Sequence, residues 1–372
     1  MRGFLRYFKG LHIWLVCNAL VLALFFGLRA RRDVMNAVSR GFSMPLERAL
    51  GRLWSHVPFS AAELCYALAV VALTVFLVRS VVLIVRAEYK REMLYRRVMV
   101  LFNTLLSLYA AFCLLWGVNF YTDDFCDLSG VHPAPVPREE LIAVTRLFAE
   151  RTAHCADAVA RDEGGVYAVP RAESLAYAPS LYGAAMCDEF PFLYLPADPA
   201  PKGIFFSRVM SAMNVTGLYF PFTGESNLNM DFPAATFPAT VAHELAHRRG
   251  IASEQQCNFL SILASTRTND PAYEYSGWLT GYIHLSNALY AVAPEEWREI
   301  RASLPAGVEA DLRAAGDYWA RYDGATARAS GKAYDAMLKS YGDELGMQSY
   351  GAVVDLLVSY YYPRVEVSRP LG

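Results

Sequence analysis

Between Val98 and Tyr121 the chain has no lysine, arginine, aspartate or glutamate. A run of that length without charge excludes a solvated surface helix, which needs a polar face. Charge is sparse elsewhere too: 19% of the 372 residues are charged and 55% are hydrophobic, outside the range of ordinary soluble domains. Leu11 to Leu28 is apolar apart from His12 and Asn18. Ala61 to Val85 is apolar except for Glu63, Arg79 and a few small polar residues. Each of the three runs is long enough to cross a hydrocarbon core of roughly 30 Å as a helix. Trp14, Trp116 and Tyr121 sit near the run ends, as interface anchors do, and Arg79 can snorkel from near the end of its run. Three transmembrane helices are therefore expected, at about 11–28, 61–85 and 98–121, with the lipid bilayer as a partner. The first run lacks a small-residue cleavage site, so it reads as a span and not as a signal peptide.

Other scarcities narrow the function. A net charge of −2 and the lack of any basic-aromatic groove pattern exclude a nucleic-acid partner. The seven cysteines show no disulfide framework: Cys17, Cys65 and Cys113 lie within spans, and Cys126, Cys155, Cys187 and Cys257 follow them. No repeat or low-complexity tract occurs.

Basic residues in the flanks set the expected orientation. Arg2, Arg6 and Lys9 precede the first span, and Arg86, Lys90, Arg91, Arg96 and Arg97 lie around the link between the second and third. The other side has Arg29, Arg31, Arg32, Arg40, Arg48 and Arg52 in the first loop, then no lysine or arginine from 117 to 137. The bias places the N-terminus in the cytoplasm and the C-terminal domain outside, although the cluster at Arg29, Arg31 and Arg32 opposes it. Within the first loop, 44–56 reads either as an amphipathic helix on the membrane, with Leu46, Leu50, Leu53 and Trp54 along one edge, or as a plain connection.

Residues 122–372 suffice for one substantial core. Apolar periodicity predicts helices over 137–160, 205–213, 273–292, 294–303, 308–322, 333–345 and 350–361, and a strand over 215–222. The span 161–201 reads as loops and short elements. The expected domain is mainly α, of α+β type with a small sheet.

The chemistry-bearing motif is His243-Glu-Leu-Ala-His247. Histidines at i and i+4 share one helix face and can reach one metal ion, while Glu244 projects beside it as a general base. Pro238 suits a first helical turn, and Gly250 is a natural stop. Ser253 with Gln256 has the form of a capping box opening a second helix. A catalytic zinc takes three protein ligands and leaves a fourth position for water. The long zincin pattern would need a histidine three residues after Gly250, where the chain has Ser253. The next residue, Glu254, is the expected third ligand; the alternative is a first-turn acid favoured by the helix dipole. Asn258, four residues on, is expected to steady a histidine ligand. Cys257 reads as a buried apolar residue and not as a fourth ligand.

Pro221-Phe-Thr-Gly-Glu225, the segment Pro238–His247, Gly250-Ile-Ala252 and Glu254–Phe259 together resemble a bacterial family of multi-pass membrane proteins catalogued as domain of unknown function 3810. That family in turn resembles gluzincin-type zinc metallopeptidases. The resemblance implies a bacterial cell-membrane location, a zincin-like domain over 122–372 and one Zn²⁺, and it implies no substrate. Members often carry an acid where this chain has Gln256, which leaves Glu254 the sole acid there.

The sequence thus predicts a membrane-anchored zinc-dependent hydrolase, a peptidase acting on peptide or protein through metal-activated water. The alternatives are a non-enzymatic zinc-binding membrane protein with a structural or sensing role, and a membrane component whose motif is coincidental. By analogy with zincins, the segment 217–229 is expected to run beside the metal as an edge strand. Glu225, Asn227 and Asn229 are then candidate substrate contacts or plain turn residues. Tyr282 and His284 are candidate oxyanion donors or packed helix residues.

Overall fold

A computed structural model describes residues 7–342 and 349–368. Its longer helices are α1 (Lys9–Leu28), α2 (Met44–Trp54), α3 (Ala61–Arg86), α4 (Lys90–Leu115), α5 (Arg138–Cys155), α6 (Phe237–His247), α7 (Glu254–Thr266), α8 (Pro271–Val292), α9 (Pro294–Ala302), α10 (Ala306–Ala320), α11 (Ala325–Ser340) and α12 (Ser349–Ser368). Three short strands, β1 (Lys202–Ile204), β2 (Gly217–Phe220) and β3 (Glu225–Asn229), make one sheet in the order β1-β3-β2. The fold is mainly helical with a small sheet.

α1, α3 and α4 are long and apolar enough to cross a membrane. Within an apolar medium, polar side chains must find partners on neighbouring helices. Those of α1 find them on α4. Asn18 Nδ2 donates to the Asn103 carbonyl at 3.2 Å, Ser107 Oγ to Asn18 Oδ1 at 3.0 Å, and Trp14 Nε1 to Ser107 Oγ at 2.8 Å. His12 Nε2 lies 2.6 Å from the Tyr95 hydroxyl. The outward residues of α3, such as Leu68, Val71, Val75 and Val78, are exposed, as lipid-facing positions are.

The third span differs from expectation. α4 begins at Lys90 and stops at Leu115, and Gly117–Tyr121 forms a 3₁₀ turn. Trp116, Val118 and Asn119 are buried against the rest of the protein. Hydropathy cannot separate these residues from the span, because lipid and a protein interior are equally apolar.

The first loop is helical at α2, and one face of that helix meets the C-terminal domain. Glu47 and Gly51 are buried there, while Leu46 and Leu53 remain exposed on the other face. The contact is backbone against backbone. Gly224, in the left-handed region at φ +65°, has no room for a β-carbon, which would lie 2.0 Å from the Glu47 carbonyl oxygen. A β-carbon on Gly51 would meet the Gly224 carbonyl oxygen at 2.6 Å.

α3 is held at its start. Ser60 Oγ accepts from Glu63 N at 3.0 Å, a side-chain N-cap. The Glu63 carboxylate accepts from Phe205 N and Phe206 N at 3.0 and 2.8 Å. The C-terminal core packs α5, α6, α7, α8 and α12 together, with Phe148, Trp278 and Tyr361 in mutual ring contact. α11 begins at Ala325, eight positions before the expected 333, because Gly331 is tolerated inside it; residues 343–345 of the expected helix lie outside the described residues.

Candidate metal centre

α6 opens with Pro238 in its first turn and ends at His247, and Gly250 follows at φ +82° as a left-handed stop. Arg248 and Arg249 then share Asp198 at 2.8 and 2.6 Å, with all three side chains buried, which fixes the helix end. The expected capping box on α7 does not form. Ser253 occupies the N-cap without a side-chain bond. Gln256 instead accepts from Phe125 N at 3.0 Å and donates to Asp124 at 2.7 Å, tying α7 to the segment that follows α4.

The turn between α6 and α7 brings the three candidate ligands together. His243 Nε2 and His247 Nε2 are 3.1 Å apart, His243 Nε2 and Glu254 Oε2 are 3.2 Å apart, and His247 Nε2 and Glu254 Oε1 are 3.6 Å apart. Tetrahedral zinc with ligand bonds of about 2.0–2.1 Å separates its ligand atoms by roughly 3.3–3.4 Å. The far ring nitrogens are committed elsewhere. His243 Nδ1 donates to Asn258 Oδ1 at 2.9 Å and His247 Nδ1 to the Ile251 carbonyl at 2.8 Å. Both Nε2 lone pairs therefore face one another and a carboxylate. That arrangement repels unless a cation or a proton lies among them, so the donor set fits a divalent metal. Cys257 touches the back of the His247 ring, with Sγ 3.3 Å from Nδ1, and burial pushes its thiol well up. It is not part of the ligand set.

Electrostatics divide the groups. Burial disfavours charge on every one of them. For Glu254 the neighbouring His247 and His243 outweigh burial and hold the carboxyl down at about 2. Burial lowers His247 to about 4 against the pull of Glu254. His243 is raised, because Glu254 and Glu244 overcome its burial. Burial pushes Glu244 up to about 8. Among the described residues, none hydrogen-bonds to Glu244 Oε2, although the atom is buried.

The site opens on a cavity of about 1350 Å³. One wall is β2, the edge strand of the sheet, which pairs antiparallel with β3 from Gly217↔Leu228 to Phe220↔Glu225. Gly217 lies over Glu244. His284 lines the cavity, and burial with the nearby His243 lowers it to about 4. Tyr282 does not line it. It is buried in the core near Ser286 and Arg301, so the oxyanion reading does not hold for this residue.

The candidate substrate contacts on β3 are also corrected, because each is buried and held by internal partners. Glu225 accepts from Ala62 N at 3.0 Å and Ala61 N at 3.4 Å at the start of α3, and pairs with Lys202 at 2.7 Å. Asn227 accepts from Ser60 Oγ at 2.6 Å. Asn229 donates to Ser211 Oγ at 2.9 Å and accepts from Asp231 N at 2.9 Å. The Pro221–Glu225 segment thus joins the sheet to α2 and α3.

Two cavity residues were not assigned to the site from the sequence, and Trp116, expected as an interface anchor, is instead buried against the protein. Tyr334, on α11, donates its hydroxyl to Glu254 Oε1. Trp116 sets its ring edge-on to His247 at 5.6 Å. No local spacing links either to the motif.

Compared with known proteins, residues 39–358 match the model of a family described as a protein of unknown function, DUF3810. No curated protein and no solved structure matches the chain. The matched residues include α3, α4, the sheet and the three candidate metal ligands, and the chain therefore belongs to the DUF3810 family.

Proposed function

We propose that the protein is a membrane-anchored zinc-dependent hydrolase, a peptidase of gluzincin-like type. The observation that carries this reading is the convergence of His243, His247 and Glu254 beside a second acid, Glu244, which stands outside the ligand set. His243, His247 and Glu254 would hold one Zn²⁺, with Asn258 and the Ile251 carbonyl fixing the two rings. Bound there, zinc supplies a Lewis acid that polarises a carbonyl oxygen and lowers the pKa of a water. Glu244 accepts that water's proton and delivers it to the leaving amine. The C–N bond breaks and the water oxygen joins the carbonyl carbon. β2, an edge strand among the described residues, offers backbone groups to an extended peptide. His284, on the cavity wall, can donate to a carbonyl oxygen.

The proposed setting is a bacterial cell membrane, with the N-terminus cytoplasmic and the C-terminal domain outside. The basic bias of the flanks supports it. The opposing first-loop arginines have local anionic partners: Arg32 pairs with Asp127 at 2.9 Å, and Arg40 with Asp123 at 3.3 Å.

Zinc content and cleavage of a mixed peptide library, measured on the detergent-solubilised full chain, test the reading. The parent is expected to hold about one zinc per chain, and His243→Ala to lose it. Glu254→Gln is expected to weaken zinc binding, because a neutral amide is a poor ligand. Glu244→Gln should keep zinc and lose cleavage by about 10²–10⁴-fold. Undiminished cleavage by Glu244→Gln sinks the mechanism. Zinc without any cleavage by the parent favours the non-enzymatic alternative.

A further inference from the structure

The cavity over the metal centre does not end at the C-terminal domain. Its wall continues onto the two spans nearest the site, through Cys65, Tyr66 and Ala69 of α3 and Leu108 and Phe112 of α4. Positions 65, 66 and 69 share one face of a helix, as do 108 and 112. Ala69 lies eight residues beyond the start of α3, and Leu108 seven before the end of α4. At 1.5 Å per residue the cavity reaches roughly 10–12 Å along the spans. Both helices belong to the candidate membrane-crossing set, so this part of the cavity runs along candidate spans. Tyr66 and Leu108 are about half exposed, at 51% and 53%.

The shape selects the occupant. The three residues Ala87–Tyr89 join α3 to α4 at the far end, so the gap is a wedge, open toward the metal centre and closed away from it. A transmembrane helix is about 10 Å wide and must continue through the whole core. It would have to pass where the two spans are joined. A flexible acyl chain needs neither the width nor the through path. The other end of the same cavity contains His243, His247 and Glu254, with Glu244 and the edge strand β2.

We infer that the substrate is an acylated peptide: its lipid chain enters from the bilayer into the wedge between α3 and α4, and its peptide part extends along β2 to the metal centre. This substrate class rests on the peptidase reading above. A single acyl chain holds a peptide to a membrane only marginally. A wedge that receives the chain therefore selects for it, instead of relying on the bilayer to deliver it.

The test uses the full chain in lipid nanodiscs with two mixed peptide libraries of identical sequence, one N-palmitoylated and one N-acetylated. Cleavage of the palmitoylated library is expected to be faster by about tenfold or more, given the methylenes buried. Ala69→Trp and Leu108→Trp, which fill the wedge from opposite walls, should each remove that preference. Binding is read separately with Glu244→Gln protein and a palmitoyl peptide bearing a diazirine on its acyl chain. Crosslinks are expected at Tyr66, Ala69, Leu108 and Phe112. Equal cleavage of both libraries without wedge crosslinks overturns the inference and leaves the peptidase reading standing. Wedge crosslinks without cleavage of either library remove the peptidase reading and support the acylated ligand. A diazirine fatty acid without peptide that crosslinks the wedge equally well overturns the inference, as does an apolar transmembrane peptide that displaces the probe better than the palmitoyl peptide.

Discussion

Gly217 and Glu244 are in contact across the sheet–helix boundary: a β-carbon on Gly217 would lie 2.5 Å from Glu244 Oε1 and 2.7 Å from its Cγ. The glycine keeps the edge strand close enough to roof the site while leaving the carboxylate its place. Gly217→Ala is therefore expected to displace Glu244 and lower peptide cleavage by about tenfold or more, since misplacement by 1 Å can cost 10²-fold. Zinc content should not change, because Gly217 touches no ligand. Parallel assays of metal and cleavage decide it; full activity in Gly217→Ala refutes the positioning role.

Glu225 ties the start of α3 to the C-terminal domain. Its buried carboxylate receives the first backbone N–H groups of α3 and faces Lys202. Glu225→Gln leaves Lys202 without its anion, and breaking a buried pair from one side costs about 3–5 kcal/mol. Thermal unfolding of the solubilised chain should show a clear fall in Tm, with zinc still bound below the transition. A Tm within about 1 °C of the parent, far less than such a loss produces, contradicts this role.

Glu47 is a buried carboxyl on the face of α2 that meets the C-terminal domain. Burial between α2 and the Gly224 turn pushes its carboxyl up to about 8, above the ordinary value of 4.5 and against the lowering influences of Tyr219 and Arg48. The folded state thus favours the proton. The stabilisation is complete below about pH 4.5 and is lost as pH rises through about 8. Glu47→Gln has no proton to lose, so Tm should fall less between pH 5 and pH 9 in the variant than in the parent. The variant should be the more stable of the two at pH 9. Parallel Tm profiles would falsify the assignment.

The orientation gives a direct expectation. In a background lacking the cysteines that follow the spans, a cysteine introduced at the C-terminus should react with an impermeant thiol reagent in intact cells. Labelling only after lysis reverses the topology and places the metal centre in the cytoplasm.

Much of the candidate site is legible without coordinates because it is local. His243, His247, Glu254 and Asn258 fall within sixteen positions, and helix periodicity with the stop at Gly250 suffices to put the first three ligand atoms together. Asn258 reaches His243 for the same reason: it lies one turn beyond Glu254 on the same helix. The three spans are legible because length and apolarity are their physical requirement.

What only the tertiary structure decided concerns partners distant in sequence. Glu225, Asn227 and Asn229 look like open polar residues near a motif, yet α3 and β1 close over them from more than a hundred and from some twenty residues away. The contact of Gly217 with Glu244, the hydroxyl of Tyr334 on Glu254 and the separation of Tyr282 from His284 depend on helix and strand placement that no period encodes. The end of the third span at Leu115 was hidden for a different reason: Trp116 and Val118 are as apolar as the span itself, and hydropathy records that a residue avoids water without recording whether lipid or protein takes water's place.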